Sequence, residues 1–226
     1  MTRLLNGIVA FGSTLLLAVT LIGAGFAAVA IPDAATATLS RAFSGCDQPN
    51  TPFTADELAT MAIAGKRYTF DDNDREKLDA AIAEANAAAE ADGRATASTR
   101  ESAAHSLPAD AISHLDDVYR VASVAKPALV IVVVLCIAGL AHVAVRIGRR
   151  ALGRTLMAGG GLVLAAFCAL GAWAAIDFDG LFTVFHSLFF QAGTWTFPYD
   201  SLLITLYPTA FWMGMGGIWL AVTCIA

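Results

Sequence analysis

Charge is scarce in this chain. Only 15% of its 226 residues are Asp, Glu, Lys or Arg, where a soluble domain carries about 25%. There is no glycine-rich phosphate loop and no basic patch, which argues against nucleotide or nucleic-acid chemistry. Of the four cysteines, Cys136, Cys168 and Cys224 sit inside apolar runs and behave there as small hydrophobes. Cys46 stands alone in polar sequence, so polar-region cysteines have no disulfide to form. No Gly-x-Ser-x-Gly elbow marks a hydrolase serine. His105, His114 and His186 match no zinc spacing, so neither a metal nor another cofactor is expected. Apart from His142, the long apolar runs hold no basic or acidic residue, which argues against an ion path.

What the chain does have is apolar sequence, 57% of it, gathered into long runs. Such runs read as membrane spans. The expected fold is an all-α integral membrane protein with four transmembrane helices and a mainly helical extracytoplasmic domain between spans one and two. The bounds are 4–31 for span one, 32–126 for the domain, 127–147 for span two, 148–154 for a loop, 155–176 for span three, 177–201 for an outer loop and 202–225 for span four. The first run is longer than the roughly 7–15 apolar residues of a signal peptide, so an uncleaved span is expected. Pro208 is expected to bend span four.

Charge asymmetry orients the spans. Arg146, Arg149, Arg150 and Arg154 lie between spans two and three with no acidic residue among them, and Arg3 precedes span one. Short Arg-rich loops stay in the cytoplasm. All 19 acidic residues fall elsewhere, in 32–126 or in the loop holding Asp177, Asp179 and Asp200. The chain is therefore expected in a membrane as a multi-pass protein, with both termini cytoplasmic and the acidic segments outside.

In the polar region, Thr54-Ala55-Asp56-Glu57 is a capping box, with Phe53 and Leu58 placed as its hydrophobic staple. The helix after it is expected to stop near Gly65, leaving Lys66–Phe70 as a short strand or an extended link. Asp74 to Asp92 is helix-prone, but its stripe is mostly alanine, which predicts weak docking. Residues 93–106 read as a mobile linker with a solvated His105. A helix from Leu107 or Pro108 carries His114 and runs close to Pro127, which fits the first turn of span two. His142, deep in span two, reads as a helix–helix hydrogen bond.

His114 and His186 fall near the outer membrane surface, one ahead of span two and one after span three. On a helix His114 and Asp117 share a face, so the carboxylate can hold one imidazole nitrogen protonated and leave the other as a base. His186 opens an aromatic stretch, Phe185 to Pro208, read as a re-entrant or surface-lying loop at headgroup depth, where Trp195, Tyr199 and Tyr207 collect. Two interfacial histidines bonded only to headgroups or backbone fit the same spacing.

Several short motifs occur in a fixed order: Thr51-Pro52-Phe53-Thr54-Ala55-Asp56-Glu57-Leu58, Tyr68-Thr69-Phe70, His114-Leu115-Asp116-Asp117-Val118, Phe185-His186-Ser187-Leu188-Phe189-Phe190, then Trp195, Pro198, Asp200, Leu203-Ile204 and Pro208. Together they resemble the Lit family of four-span bacterial membrane proteins, the lipoprotein intramolecular transacylases. The resemblance implies an acyltransferase whose partners are membrane lipids and a diacylglyceryl lipoprotein. It would move the sn-2 acyl chain to the α-amino group of the lipoprotein's N-terminal cysteine, giving a lyso-form. It also implies that His114 and His186 are catalytic, with Asp117 orienting His114 and with Tyr68, Trp195, Tyr199 and Asp200 binding substrate. The alternative is a non-catalytic membrane protein whose outer domain binds a partner. The enzyme needs His114 and His186 to converge; the binder does not.

Overall fold

The computed structural model describes residues 2–225, and among them it contains helices and turns but no strand. The order is α1 (Thr2–Ala30), α2 (Asp33–Phe43), α3 (Ala55–Phe70), α4 (Arg75–Ala91), α5 (Ala109–His142), α6 (Arg149–Ile176), α7 (Phe178–Phe189), α8 (Leu202–Leu206) and α9 (Thr209–Ile225). A π-helical turn, Val143–Ile147, follows α5. The chain divides into two compact units, each described here by itself.

One unit gathers the chain up to Ala28, Val124–Phe182, and Trp219 onward. Three stretches, Arg3–Ala30, Ala109–Ile147 and Arg149–Ile176, are long and apolar enough to cross a membrane. Small residues let these helices approach closely, as lipid-embedded packing requires. Gly139 of α5 faces the Ser13 side chain of α1, and Gly23 of α1 faces Leu129 of α5, so the two helices run antiparallel. A Cβ at Gly159 of α6 would meet a Leu17 methyl at 2.7 Å. The Trp219 indole donates to the Ile22 carbonyl at 3.0 Å and packs edge-on to Phe167. The Nε2 of His142 is buried with no hydrogen-bond partner among the described residues, so the helix–helix bond expected of it is not made there.

α5 runs without a break through Pro127, where a new helix was expected. Proline removes one i→i−4 bond, and the long apolar helix retains its bonds on either side. Span four also differs from expectation. Pro208 separates two helices, and α9, at 17 residues, is shorter than the other three candidates. Ser201 caps α8 by accepting from the Ile204 N–H, and Leu202, Leu203 and Leu206 are buried in the core of the second unit.

That second unit holds Val29–Ser123 and Thr183–Ile218. Its core joins Phe53, Leu58, Met61 and Tyr68 to Leu78, Ile82, Ala111, Leu115 and the α8 leucines. The capping box forms as expected: the Thr54 hydroxyl accepts from the Glu57 N–H, and Glu57 accepts from the Thr54 N–H at 2.7 Å. Arg94 then grips the Glu57 carboxylate with both terminal nitrogens. This bond, more than any other contact, pulls the Glu57 carboxyl below its usual range.

α3 does not stop at Gly65 but continues to Phe70. The glycine serves a close approach instead of a helix end. A Cβ there would lie 2.6 Å from the Tyr207 hydroxyl, which donates to the Ala62 carbonyl at 2.6 Å. Gly65→Ala is therefore expected to displace a buried ring and lower stability by about 1–3 kcal/mol, read as a drop in melting temperature. A Gly65→Ala chain as stable as the parent would contradict this packing.

The alanine stripe of α4 is not weakly docked: Leu78, Ile82, Ala85 and Ala89 are buried in the core cluster. Small side chains let the helix backbones approach. Residues 93–106 are ordered by Arg94, by an Arg100–Glu90 ion pair and by His105. The solvated His105 expected from sequence is instead buried, with its Nδ1 2.9 Å from Asn86 Oδ1 and its ring 5.4 Å from that of Phe53. Asn86 also donates to the His105 carbonyl. Alanine-rich sequence hides this, because Asn86 is the one polar residue on the buried face of α4.

Candidate active site

Both site histidines belong to the second unit. His114 sits in the second turn of α5, whose neighbouring Ala111, Ile112 and Leu115 are buried in the core. That packing fixes the turn and aims the imidazole. His186 sits near the end of α7. The sequence was read as a loop here, but it forms a helix, started by the Asp177 side chain accepting from the Gly180 N–H at 2.8 Å. Its apolar residues recur at helical spacing, so an N-capped aromatic helix accounts for the difference.

The two imidazoles converge. Their ring centroids are 6.1 Å apart with planes inclined by 29°. His114 and His186 are 8% and 9% exposed. Aromatic rings form the walls. Phe190 lies 5.0 Å from His114 and 5.6 Å from His186, and Phe197 lies 5.5 Å from His114. Trp195 tilts over His186 at 4.9 Å.

This setting decides protonation. Burial, and then the nearby His186, push the His114 pKa down to about 4 against the opposing pull of Asp117. His114 is thus a neutral imidazole near pH 7, free to accept a proton. Its Nδ1 is buried with no hydrogen-bond partner among the described residues. Leaving such an atom unpaired costs about 1–3 kcal/mol, a cost a bound ligand would remove.

Acid should therefore weaken the fold. Burial also lowers the His105 pKa. Both histidines bind protons less readily folded than unfolded, where the pKa is about 6.5. The stability they contribute is complete above that value and falls as pH drops toward about 4 for His114. Thermal melting is expected at a lower temperature at pH 5 than at pH 8, and equal melting temperatures would contradict the burial of neutral imidazoles.

The remaining candidates are placed differently. The Asp117 carboxylate accepts from Arg120 at 2.6 Å, and no hydrogen bond joins it to His114 among the described residues. An i,i+3 arginine on the other side won the carboxylate. Tyr68 is buried, and its hydroxyl donates to Asp116 at 2.6 Å. Burial first, and then Asp116, raise its pKa to about 12. Asn73 also donates to Asp116, so these residues pin α3 to α5 next to His114. Tyr199 is exposed and donates to the Asp47 carbonyl, while Gln48 donates to the Tyr199 carbonyl. Asp200 is exposed. The sequence reading missed Phe190 and Phe197 as walls around His114 and Asp116 as the partner of Tyr68. For Phe190 the signal was available, because it lies one helical turn beyond His186.

Trp195 is the wall residue whose removal reads out most simply. A ring contact is worth about 0.5–1.5 kcal/mol, so Trp195→Ala is expected to lower kcat by roughly two- to ten-fold. An unchanged kcat would remove Trp195 from the site.

Known proteins resemble the chain in sequence and in fold. The family described as "Lipoprotein intramolecular transacylase Lit" matches residues 94–212, just over half of the chain and including both histidines. Among solved structures, the in meso structure of the membrane-integral lipoprotein intramolecular transacylase Lit from Bacillus cereus is similar with a TM-score of 0.70. That match has 16% identity and covers 97% of this chain and 89% of the other. A histidine-to-arginine mutant of the same Bacillus cereus protein matches with a TM-score of 0.66 at 16% identity, covering 99% of this chain and 87% of the other. At that identity these structures speak for the fold, an all-helical membrane protein. No curated protein matches the chain. The match over residues 94–212 carries the assignment: the chain belongs to the Lit family of lipoprotein intramolecular transacylases, membrane acyltransferases.

Proposed function

We propose that His114 and His186 together move the sn-2 acyl chain of a diacylglyceryl lipoprotein to the α-amino group of its own N-terminal cysteine, leaving a lyso-form lipoprotein. The observation that carries this reading is the pair of buried imidazoles 6.1 Å apart, one with an unpartnered nitrogen.

The amine nitrogen attacks the ester carbonyl, forming a C–N bond. Neutral His114 takes the proton that nitrogen sheds. His186 donates to the oxyanion of the tetrahedral intermediate. When the C–O bond breaks, the proton on His114 passes to the departing sn-2 alkoxide. Proton and charge balance with no covalent enzyme intermediate. Amine and ester share one substrate, so orientation supplies much of the rate. Trp195 and the phenylalanine walls exclude water, which would otherwise compete as the nucleophile. Asp117 acts on His114 through its charge, while Tyr68 and Tyr199, their hydroxyls engaged, contribute by fixing α3 and the loop. Asp200, exposed beside Tyr199, faces the substrate's peptide or its headgroup region.

In the membrane, we assign four crossings at 4–31, 127–147, 155–176 and 209–225, with both termini cytoplasmic. The segments 32–126 and 177–208, which hold the site, are outside, and 148–154 is inside. The arginine-rich 148–154 segment supports this orientation.

Mass spectrometry of lipoprotein N-termini from a host expressing the chain tests the reading. N-acyl, lyso-glyceryl cysteine is expected with the intact chain and not with His114→Ala or His186→Ala. Unchanged diacylglyceryl cysteine in every sample would overturn it.

A further inference from the structure

At the far end of the first unit from the Trp219 cluster, α1 and α6 line an open cavity of about 350 Å³. Arg3 and Asn6 line it from α1, and Arg154 and Thr155 line it from α6. Its size suits a small polar group.

Arg41, Arg67, Arg75, Arg94, Arg100 and Arg120 each make an ion pair. Arg3, Arg146, Arg149, Arg150 and Arg154 have no carboxylate partner among the described residues, and of these Arg3 and Arg154 share one cavity. Two guanidiniums facing the same space repel each other unless an anion lies between them. Planar guanidiniums suit phosphate oxygens, which they grip with two parallel bonds. Ala151 of the cavity wall lies in the first turn of α6, where the free backbone N–H groups add positive potential.

Thr155 also lines the cavity, and its hydroxyl is open to it and makes no hydrogen bond to the described residues. A helical threonine usually back-bonds to the carbonyl one turn earlier, as Thr14 and Thr223 do. Thr155 leaves its hydroxyl for something else.

The surroundings decide what carries the phosphate. On α1, Leu4, Ile8 and Phe11 flank Arg3 and Gly7 and are exposed at 71%, 59% and 67%. A soluble anion gains nothing from these side chains, whereas a lipid would lay acyl chains along them. Basic pockets between transmembrane helices hold anionic headgroups in this way. We propose that the cavity binds the phosphate of an anionic glycerophospholipid between Arg3 and Arg154, with further bonds from Asn6 and Thr155. This site is separate from the two histidines and goes beyond the transacylase reading.

The test is native mass spectrometry of the delipidated protein in detergent, titrated in turn with phosphatidylglycerol, phosphatidylcholine and inorganic phosphate. One phosphatidylglycerol is expected to bind about ten-fold or more tighter than phosphatidylcholine, the weight of one charged hydrogen bond. Arg3→Gln and Arg154→Gln should abolish that preference, and Arg149→Gln, outside the cavity wall, should keep it. Gly7→Phe is the filling variant. A Cβ at Gly7 meets nothing within 4 Å, so the new ring enters open space and should block the lipid while transacylase activity persists. Equal binding of the two lipids, equal loss in Arg149→Gln, undiminished binding in Gly7→Phe, or inorganic phosphate binding as tightly as phosphatidylglycerol would each overturn the proposal.

Discussion

His114→Ala is expected to lower kcat by about 10²- to 10⁴-fold, the usual contribution of a positioned general base. The reason is local. His114 is a neutral imidazole, kept so by burial and then by the nearby His186, and its Nδ1 has no hydrogen-bond partner among the described residues. The substrate amine must lose a proton as the C–N bond forms, and His114 contacts His186, Phe190 and Phe197. KM should change far less than kcat, because the base acts on the amine proton as the C–N bond forms and not on the bound ground state. Steady-state kinetics with a synthetic diacylglyceryl lipopeptide provide the check. A kcat within about three-fold of the parent would rule His114 out as the base.

The second large effect is on pH. An ordinary imidazole base would shut the reaction down as it protonates near pH 6.5. Here His114 holds a pKa of about 4, so it stays neutral across that range. The limiting group becomes the substrate's α-amino group, with an unperturbed pKa of about 7.7–8.0. Only its neutral form attacks, so kcat/KM should fall about 400-fold between pH 8 and pH 5. The logarithmic plot should have unit slope, with no break near 6.5. A slope of two below pH 6.5 would mean that His114 titrates there and that the site does not keep it neutral.

The sequence made part of this visible for clear reasons. The capping box at Thr54 and Glu57 formed as expected because both partners lie within one helical turn. The long apolar helices followed from runs that no soluble core would need. Elements failed where a residue's role depended on distant partners. Gly65 looked like a helix end, but Tyr207, more than a hundred residues later, needs its missing side chain. His105 looked solvated because its partner, Asn86, lies on another helix. Leu202 to Leu206 looked like the start of a span because apolar sequence reads alike for a lipid-facing helix and for a buried turn. At the site, motif order singled out His114 and His186, and the fold brings them together. Asp117 was paired with His114 on spacing alone, and Arg120 at equal spacing captured its carboxylate.

The most direct test of the central claim is a double-mutant cycle on transacylation rate. His114→Ala, His186→Ala and the double variant would be compared with the parent in single-turnover assays on one diacylglyceryl lipopeptide. If the two rings serve one transition state, each single variant loses nearly all the catalysis and the double variant is little worse than either. If the two losses multiply, the imidazoles act independently, and the shared site described here is contradicted.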